Sequence, residues 1–205
     1  MNPHRNRVTP TGEVVAIALR GAFTGNRGIL HSGEQLVRFH AHERWLTCAL
    51  RFKDWWHEQW QPHHFTWLYF HDEAVSLAAG HRPCAECRRA SYNAFRAAWS
   101  AGLGEALPAA KTIDHRLHGE RIVRGTHRRR THPARWSELP DGAFVLINDV
   151  PALVLGSELV TWGPDGYSSR LERPMRGSAI LLTPPAIVAI LRAGYPVQID
   201  DSARA

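Results

Sequence analysis

At 205 residues the chain is long enough to bury a core without disulfides, and at a net charge of +6, with a pI near 9.8, its composition points to anionic rather than cationic partners. Three cysteines, an odd number with one C-x-x-C pair, disfavour a disulfide framework and favour metal or redox chemistry. Lysine occurs only at Lys53 and Lys111, so the positive charge is carried by arginine, which forks onto phosphate and stacks on bases; nucleic acid and an anionic membrane surface both fall within that partner class.

Met1 to Pro10 is polar and basic, unlike a secretory signal. The first apolar run, Val14 to Leu19, is short, and the run from Ala179 to Leu191 is broken by Thr183, Pro184 and Pro185. Neither can cross a bilayer, so a soluble, cytoplasmic protein with no membrane partner is expected.

In chain order, Val14–Leu19 reads as a buried strand and Thr24-Gly25-Asn26-Arg27-Gly28 as a glycine-punctuated loop. Strands are expected over 45–52 and 65–70, with an aromatic and histidine cluster between them: Trp55, Trp56, His57, Trp60, His63 and His64. The tryptophans are expected in the core, except that the adjacent Trp55 and Trp56 cannot both point inward from one strand face. Asp72 caps a short helix, Glu73 to Ala79, that Gly80 stops. Ala85 to Ser100 reads as a longer helix burying Tyr92, Phe95 and Trp99. A further helix is expected over 112–122, with Ile113 and Leu117 on one face. From Arg121 to Arg135 there are six arginines, two histidines and no acid, which predicts an exposed basic loop. Beyond Leu139 short strand-like runs at 143–147, 151–155, 158–162 and 178–182 alternate with turn residues, among them Asn148-Asp149. A last helix is expected with Thr183 as cap and Pro184 at its first position.

The segment Gly80-His81-Arg82-Pro83-Cys84-Ala85-Glu86-Cys87 carries the most specific chemistry. Two cysteines three apart can reach one tetrahedral metal ion, Cys48 is a natural third ligand, and Pro83 is expected at the first position of a helix. The alternatives are two buried thiols and a thioredoxin-like redox pair, the latter without its usual strand-helix-strand context. His71-Asp72-Glu73 followed by Pro83-Cys84-Ala85-Glu86-Cys87 also mimics the zinc-deaminase pattern, but nine residues between Glu73 and Pro83 leave little room for the intervening strand.

Tyr69-Phe70-His71-Asp72-Glu73-Ala74, with Ala78-Ala79-Gly80-His81-Arg82-Pro83-Cys84-Ala85-Glu86-Cys87, resembles the zinc domain of Ada-type DNA methylphosphotriester repair proteins, which carry a "YF…EA…AGFRPCxxC" block. Their upstream "TTGIFCRPSC" segment is similar to Arg27-Gly28-Ile29-Leu30-His31. The resemblance covers residues 24–90 and implies one zinc held by Cys48, Cys84, Cys87 and a histidine, His31, with His40, His42 and His57 as rivals for the fourth place. It also implies that the repair chemistry is lost, because His31 stands where that family has its methyl-accepting cysteine.

Two further clusters remain. Asp114, His115, His118 and Glu120 bring acid and base together; Asp114 and His118 share a helix face, so a carboxylate could orient an imidazole, although a solvated helix face explains them as well. Arg121, Arg124, Arg128, Arg129, Arg130 and Arg135 fit a phosphate-tracking segment or a solvated loop. The expectation is therefore an α+β protein: an Ada-like zinc-binding module over 1–105, a helix and basic connector over 106–138, and a small mostly-β unit with a C-terminal helix over 139–205. The expected function is zinc-stabilised nucleic-acid binding, DNA favoured over RNA. The alternative is a zinc-dependent hydrolase or deaminase-like enzyme acting on nucleic acid or a nucleobase.

Overall fold

A computed structural model describes residues 3–205 as a mixed α+β fold with two six-stranded sheets, a two-stranded hairpin and four α-helices among those residues. The first sheet comes from short strands: β1 (Arg7–Val8), β2 (Val14–Val15), β3 (Phe23–Asn26), β6 (Leu46–Cys48), β7 (Leu68–Phe70) and β8 (Arg82–Pro83). They lie in the order β2-β1-β7-β3-β6-β8, and β4 (His31–Ser32) with β5 (Gln35–Leu36) forms the separate hairpin.

The expected strand at 14–19 shrinks to two residues, and the expected loop at 24–28 begins instead with β3. Glycine does not break this strand. A Cβ at Gly25 would meet Cε2 of Phe70 at 2.5 Å, so Gly25 lets the Phe70 ring lie flat against the backbone. Pro83 also departs from expectation. It ends β8, parallel to β6, rather than opening a helix, so the two C-x-x-C cysteines occupy the turn before α2 (Arg89–Leu103).

Helix α1 (Glu73–Ala78) is capped as expected: the Asp72 carboxylate accepts from the Val75 N–H at 2.8 Å. Gly80 follows at φ +85°, a left-handed conformation that other residues adopt at a cost. Helix α3 (Ala110–Arg121) buries Ile113 and Leu117.

The second sheet is wholly antiparallel: β13 (Gly166–Glu172), β12 (Glu158–Gly163), β11 (Val150–Leu155), β10 (Phe144–Ile147), β14 (Ser178–Leu181) and β9 (His132–Arg135), in that order. Asn148 and Asp149 both have positive φ, 49° and 65°, as a two-residue hairpin turn between β10 and β11 requires. Helix α4 (Pro185–Arg192) starts one residue later than expected; the Thr183 hydroxyl is not its cap but accepts from the Phe144 N–H at 2.8 Å.

Period-two alternation puts a core on each face of this sheet. Val145, Ala152, Val154, Leu159 and Leu181 pack with α2, α3 and α4. Phe144, Leu153, Val160 and Trp162 pack with Phe70, Ala74, Val75 and Ala78 of the N-terminal half. Residues from before and after Leu139 thus share both cores. No helix among the described residues is long and apolar enough to cross a membrane.

Candidate metal centre

Two neighbouring strands bring the cysteines together. Cys48 ends β6, and β8 runs parallel to β6 with Thr47 opposite Pro83, so the chain leaves β8 beside Cys48. The Cys84 N–H then donates to the Thr47 carbonyl at 2.9 Å, holding the turn against the sheet. The ligand atoms of Cys48, Cys84 and Cys87 all lie within 4.8 Å of one another. A tetrahedral zinc with bonds of about 2.3 Å to sulfur needs sulfurs about 3.8 Å apart, which is compatible with the spacing of the trio. Soft thiolates suit zinc, copper(I) or iron–sulfur chemistry and not magnesium or calcium. Backbone N–H groups already point at two of the sulfurs, Ala49 at Cys87 Sγ (3.4 Å) and Glu86 at Cys84 Sγ (3.5 Å), contacts that stabilise thiolates. Hydrogen bonds from Cys48 and then Cys87 draw the Cys84 thiol down to about 2, and the contacts with Cys84 and Cys87, with burial, push Cys48 up.

His31 is not part of this cluster, which corrects the four-ligand expectation. The Leu30 N–H donates to Thr66 Oγ1 at 2.8 Å, His31 Nδ1 lies 2.6 Å from the same hydroxyl, and His31 Nε2 lies 3.3 Å from the Gln61 carbonyl. These bonds occupy both ring nitrogens, and the ring packs edge-on against Trp60. The rivals stand elsewhere too: His40 lies against His118, His42 against Gly28, and His57 stacks on Trp67 at 4.6 Å. Among the described residues no fourth histidine, cysteine or carboxylate completes the group.

The deaminase-like residues are also held apart from the sulfurs. Glu73 accepts from Arg88 at 2.8 Å and from the Tyr195 hydroxyl at 2.7 Å. Trp162 Nε1 donates to His71 Nδ1 at 3.3 Å. Asp72, its carboxyl raised by burial, accepts from Tyr167 and from the Asp200 N–H. This trio ties α1 to the second sheet and the C-terminal tail.

The candidate acid–base cluster disperses. Asp114 does not orient His118. It forms a bidentate ion pair with Arg82, Nε to Oδ1 at 2.7 Å and Nη2 to Oδ2 at 2.9 Å, both side chains buried. Glu120 accepts from Arg116 Nε at 3.1 Å and from the Ala186 N–H at 2.9 Å, capping α4 from α3. His115 is exposed beside Glu43, and it lines a cleft together with His118.

The basic stretch is not the uniformly exposed loop expected from its composition. Arg124, Arg128 and Arg135 are exposed. Arg121 is buried, donating to the Gly80 carbonyl at 2.7 Å and lying 4.0 Å from the centre of the Trp45 ring. Arg129 donates to the carbonyls of Ala78 and Leu182, and burial draws its guanidinium down to about 9. Arg130 is half-buried, and His132–Arg135 is the edge strand β9.

Beside the metal centre lies a groove of about 350 Å³ that includes Thr24, Arg51, Trp55, Trp56, Trp67 and Tyr69. It borders the cluster directly, because Thr24 pairs with Cys48 across β3–β6 and its hydroxyl donates to the Ala49 carbonyl at 3.1 Å. Trp55 and Trp56 are 59% and 77% exposed, so they are surface and not core. Sequence reasoning isolated this pair but missed its partners Arg51 and Tyr69, which only the sheet topology brings alongside. No protein-family model matches the chain, and no curated protein and no solved structure matches it either.

Proposed function

We propose that the chain is a zinc-binding protein whose metal ion anchors a surface for nucleic acid, with single-stranded DNA the first candidate. The observation that carries the metal is the convergence of three sulfurs from β6 and the β8–α2 turn. Cys48, Cys84 and Cys87 would hold the ion, whose chemical contribution in this reading is to cross-link the edge of the first sheet to the start of α2. The motif block at 69–88 that resembles Ada-type zinc domains supports the same assignment.

The nucleic-acid reading rests on the groove next to the metal. Two adjacent exposed indoles with Arg51, Lys53 and Tyr69 combine flat apolar faces with positive charge, the pairing used to stack unpaired bases and follow a backbone. This moves the expected contact surface from the 121–135 stretch to 51–69.

One observation favours a second reading: three protein ligands leave a fourth position for water or substrate, as in catalytic zinc sites. Against it, Asp114 and Glu120 are committed to structural contacts.

The test measures zinc in protein expressed in zinc-supplemented medium and binding of a fluorescent single-stranded oligonucleotide across a salt series. The expected result is one zinc per chain, lost in Cys84→Ser, and affinity falling with a slope of about 0.7 per phosphate contacted. Trp55→Ala with Trp56→Ala should weaken binding about tenfold or more, since each stacked base contributes about 1–3 kcal/mol. Metal-free wild type would overturn the zinc assignment, and binding indifferent to the tryptophans would overturn the groove.

A further inference from the structure

A second site lies away from the metal, where α3 ends. After Arg121 the chain turns back on itself: Ile122 bridges Arg129, and the Val123 N–H donates to the Arg128 carbonyl at 3.0 Å. This turn, the last turns of α3 and the segment around His40 enclose a cleft of about 740 Å³ whose lining includes His40, Glu43, His115, His118, Arg124 and Arg130. That volume is within the range of small-molecule sites.

The lining is rich in nitrogen groups, two of them without partners. His40 Nδ1 and Arg130 Nε are shielded from water and have no hydrogen-bond partner. His118 Nδ1 lies 3.2 Å from an Arg121 nitrogen and accepts from it, which leaves the His118 Nε2–H as a donor. The His40 and His118 rings meet edge-on with centroids 5.0 Å apart. The one carboxylate in the lining, Glu43, is already engaged by His115 at 3.2 Å.

Behind the cleft the positive charge of Arg27, Arg121 and Arg129 is only partly compensated, through the fields of Asp114 and Glu43 on Arg121. Burial first, and then neighbouring arginines, lower two of these guanidinium groups: Arg121 and Arg129 act on Arg27, and Arg129 acts on Arg121; Arg27 and Arg121 lie 3.9 and 4.0 Å from the centre of the Trp45 ring. Their hydrogen bonds go to carbonyls and to imidazoles, Arg27 to His81 Nε2 (3.1 Å) and Gly12 O (3.0 Å) among them. Among the described residues none of the three forms an ion pair with a carboxylate, whereas the buried Arg82 and Arg88 each do. Buried cations of this kind hold a positive potential over the adjacent cleft.

We propose that this cleft binds a phosphate monoester, with His40, His118, Arg124 and Arg130 as its contacts and the Arg27–Arg121–Arg129 cluster as its electrostatic floor. Tetrahedral phosphate oxygens can accept from the arginine and imidazole N–H groups of the lining. The phosphate belongs either to a free nucleotide or to the phosphorylated end of a nucleic acid. The site shares no residue with the metal centre or the tryptophan groove, so it stands or falls independently of the nucleic-acid reading. Burial, then His118, Arg121, His127 and Arg27, hold His40 down to about 4, and a bound dianion would oppose the effect of the two arginines.

The experiment records histidine side-chain NMR signals and calorimetric heats as the full-length protein is titrated with four probes: inorganic phosphate, a nucleoside 5′-monophosphate, and one oligonucleotide with and without a 5′-phosphate. The expected result is saturable perturbation of the His40 and His118 signals by a phosphomonoester probe, with affinity reduced at least tenfold in Arg124→Gln/Arg130→Gln at an unchanged unfolding midpoint. Trp55→Ala/Trp56→Ala should leave binding of inorganic phosphate or the mononucleotide intact. Binding of the mononucleotide identifies a free nucleotide as the source; binding of the 5′-phosphorylated oligonucleotide alone identifies a nucleic-acid end. Lack of perturbation by any phosphomonoester at millimolar concentration, equal response to the 5′-hydroxyl oligonucleotide, or unchanged affinity in the double variant would each overturn the proposal.

Discussion

Replacing Asp114 with Asn separates a structural role from a catalytic one. Both Asp114 oxygens accept from Arg82, at 2.7 and 2.9 Å, and the arginine side chain is 3% exposed. Asparagine keeps the volume but removes the charge and turns an N–H₂ group toward a guanidinium that can only donate. Arg82 would then be a buried cation left with one amide oxygen at position 114, the Pro83 carbonyl and the Tyr92 ring. Removing one partner of a buried pair costs about 3–5 kcal/mol, whereas Glu158→Gln in the more exposed Arg170–Glu158 pair should cost no more than about 1 kcal/mol. At about 2–4 °C per kcal/mol for a chain of this size, Asp114→Asn should lower the thermal midpoint by roughly 6–20 °C. Urea denaturation measures the free energy directly. Arg82→Met combined with Asp114→Leu should recover much of the loss, since an apolar pair removes the stranded charge along with the bond. A loss below about 1 kcal/mol in Asp114→Asn, or a double variant as unstable as the sum of the single ones, would refute the claim that this pair locks β8 to α3.

Gly25→Ala should destabilise by about 1–3 kcal/mol through overpacking, because the new Cβ falls 2.5 and 2.8 Å from atoms of the Phe70 ring; an unchanged urea midpoint would show that the ring has room to move. Stability should also fall in acid. His40 is held near 4 against an ordinary 6.5, first by burial, and His42, His81 and His118 are also lowered, first by burial. The unfolded chain therefore binds more protons than the folded one in this window, so the stabilisation is present above about 6.5 and is lost as pH falls through 4. His40→Asn should show a smaller drop in unfolding free energy between pH 7 and pH 4.5 than the wild type; parallel curves would count against the depressed imidazole. Zinc affinity should fall over the same range as protons compete for the thiolates, which a chromophoric chelator would report.

The parts of this molecule legible in the sequence are those whose causes are local. The Asp72 cap, the Gly80 stop, the Tyr92–Phe95–Trp99 face and the Asn148-Asp149 turn depend on neighbours within a few residues, and each has the expected place. The C-x-x-C pair was legible for the same reason, and Cys48 because so few cysteines compete for the role. Failures came where distant chain segments decide. Gly25 reads as a loop residue until Phe70 is known to lie against it. His31 reads as a ligand until Thr66 and Gln61, thirty or more residues away, occupy its nitrogens. Pro83 reads as a helix start until β6 is found alongside it.

The arginines show most clearly how composition and structure divide. A count of basic side chains assigns all of them to a partner, yet Arg27, Arg82, Arg88 and Arg121 are buried, and the Arg129 guanidinium is also shielded by protein. Their burial does not make them irrelevant to binding. Arg82 and Arg88 meet carboxylates, so their fields are largely cancelled within the fold. Arg27, Arg121 and Arg129 meet carbonyls and rings, which solvate a guanidinium without neutralising it. In a medium of lower dielectric than water that remaining charge acts over a longer distance than the same charge on an exposed side chain, which salt screens within about 8–10 Å. In the proposed phosphate site the exposed Arg124 would attract the anion from solution, and the buried three would help to hold it once water is displaced.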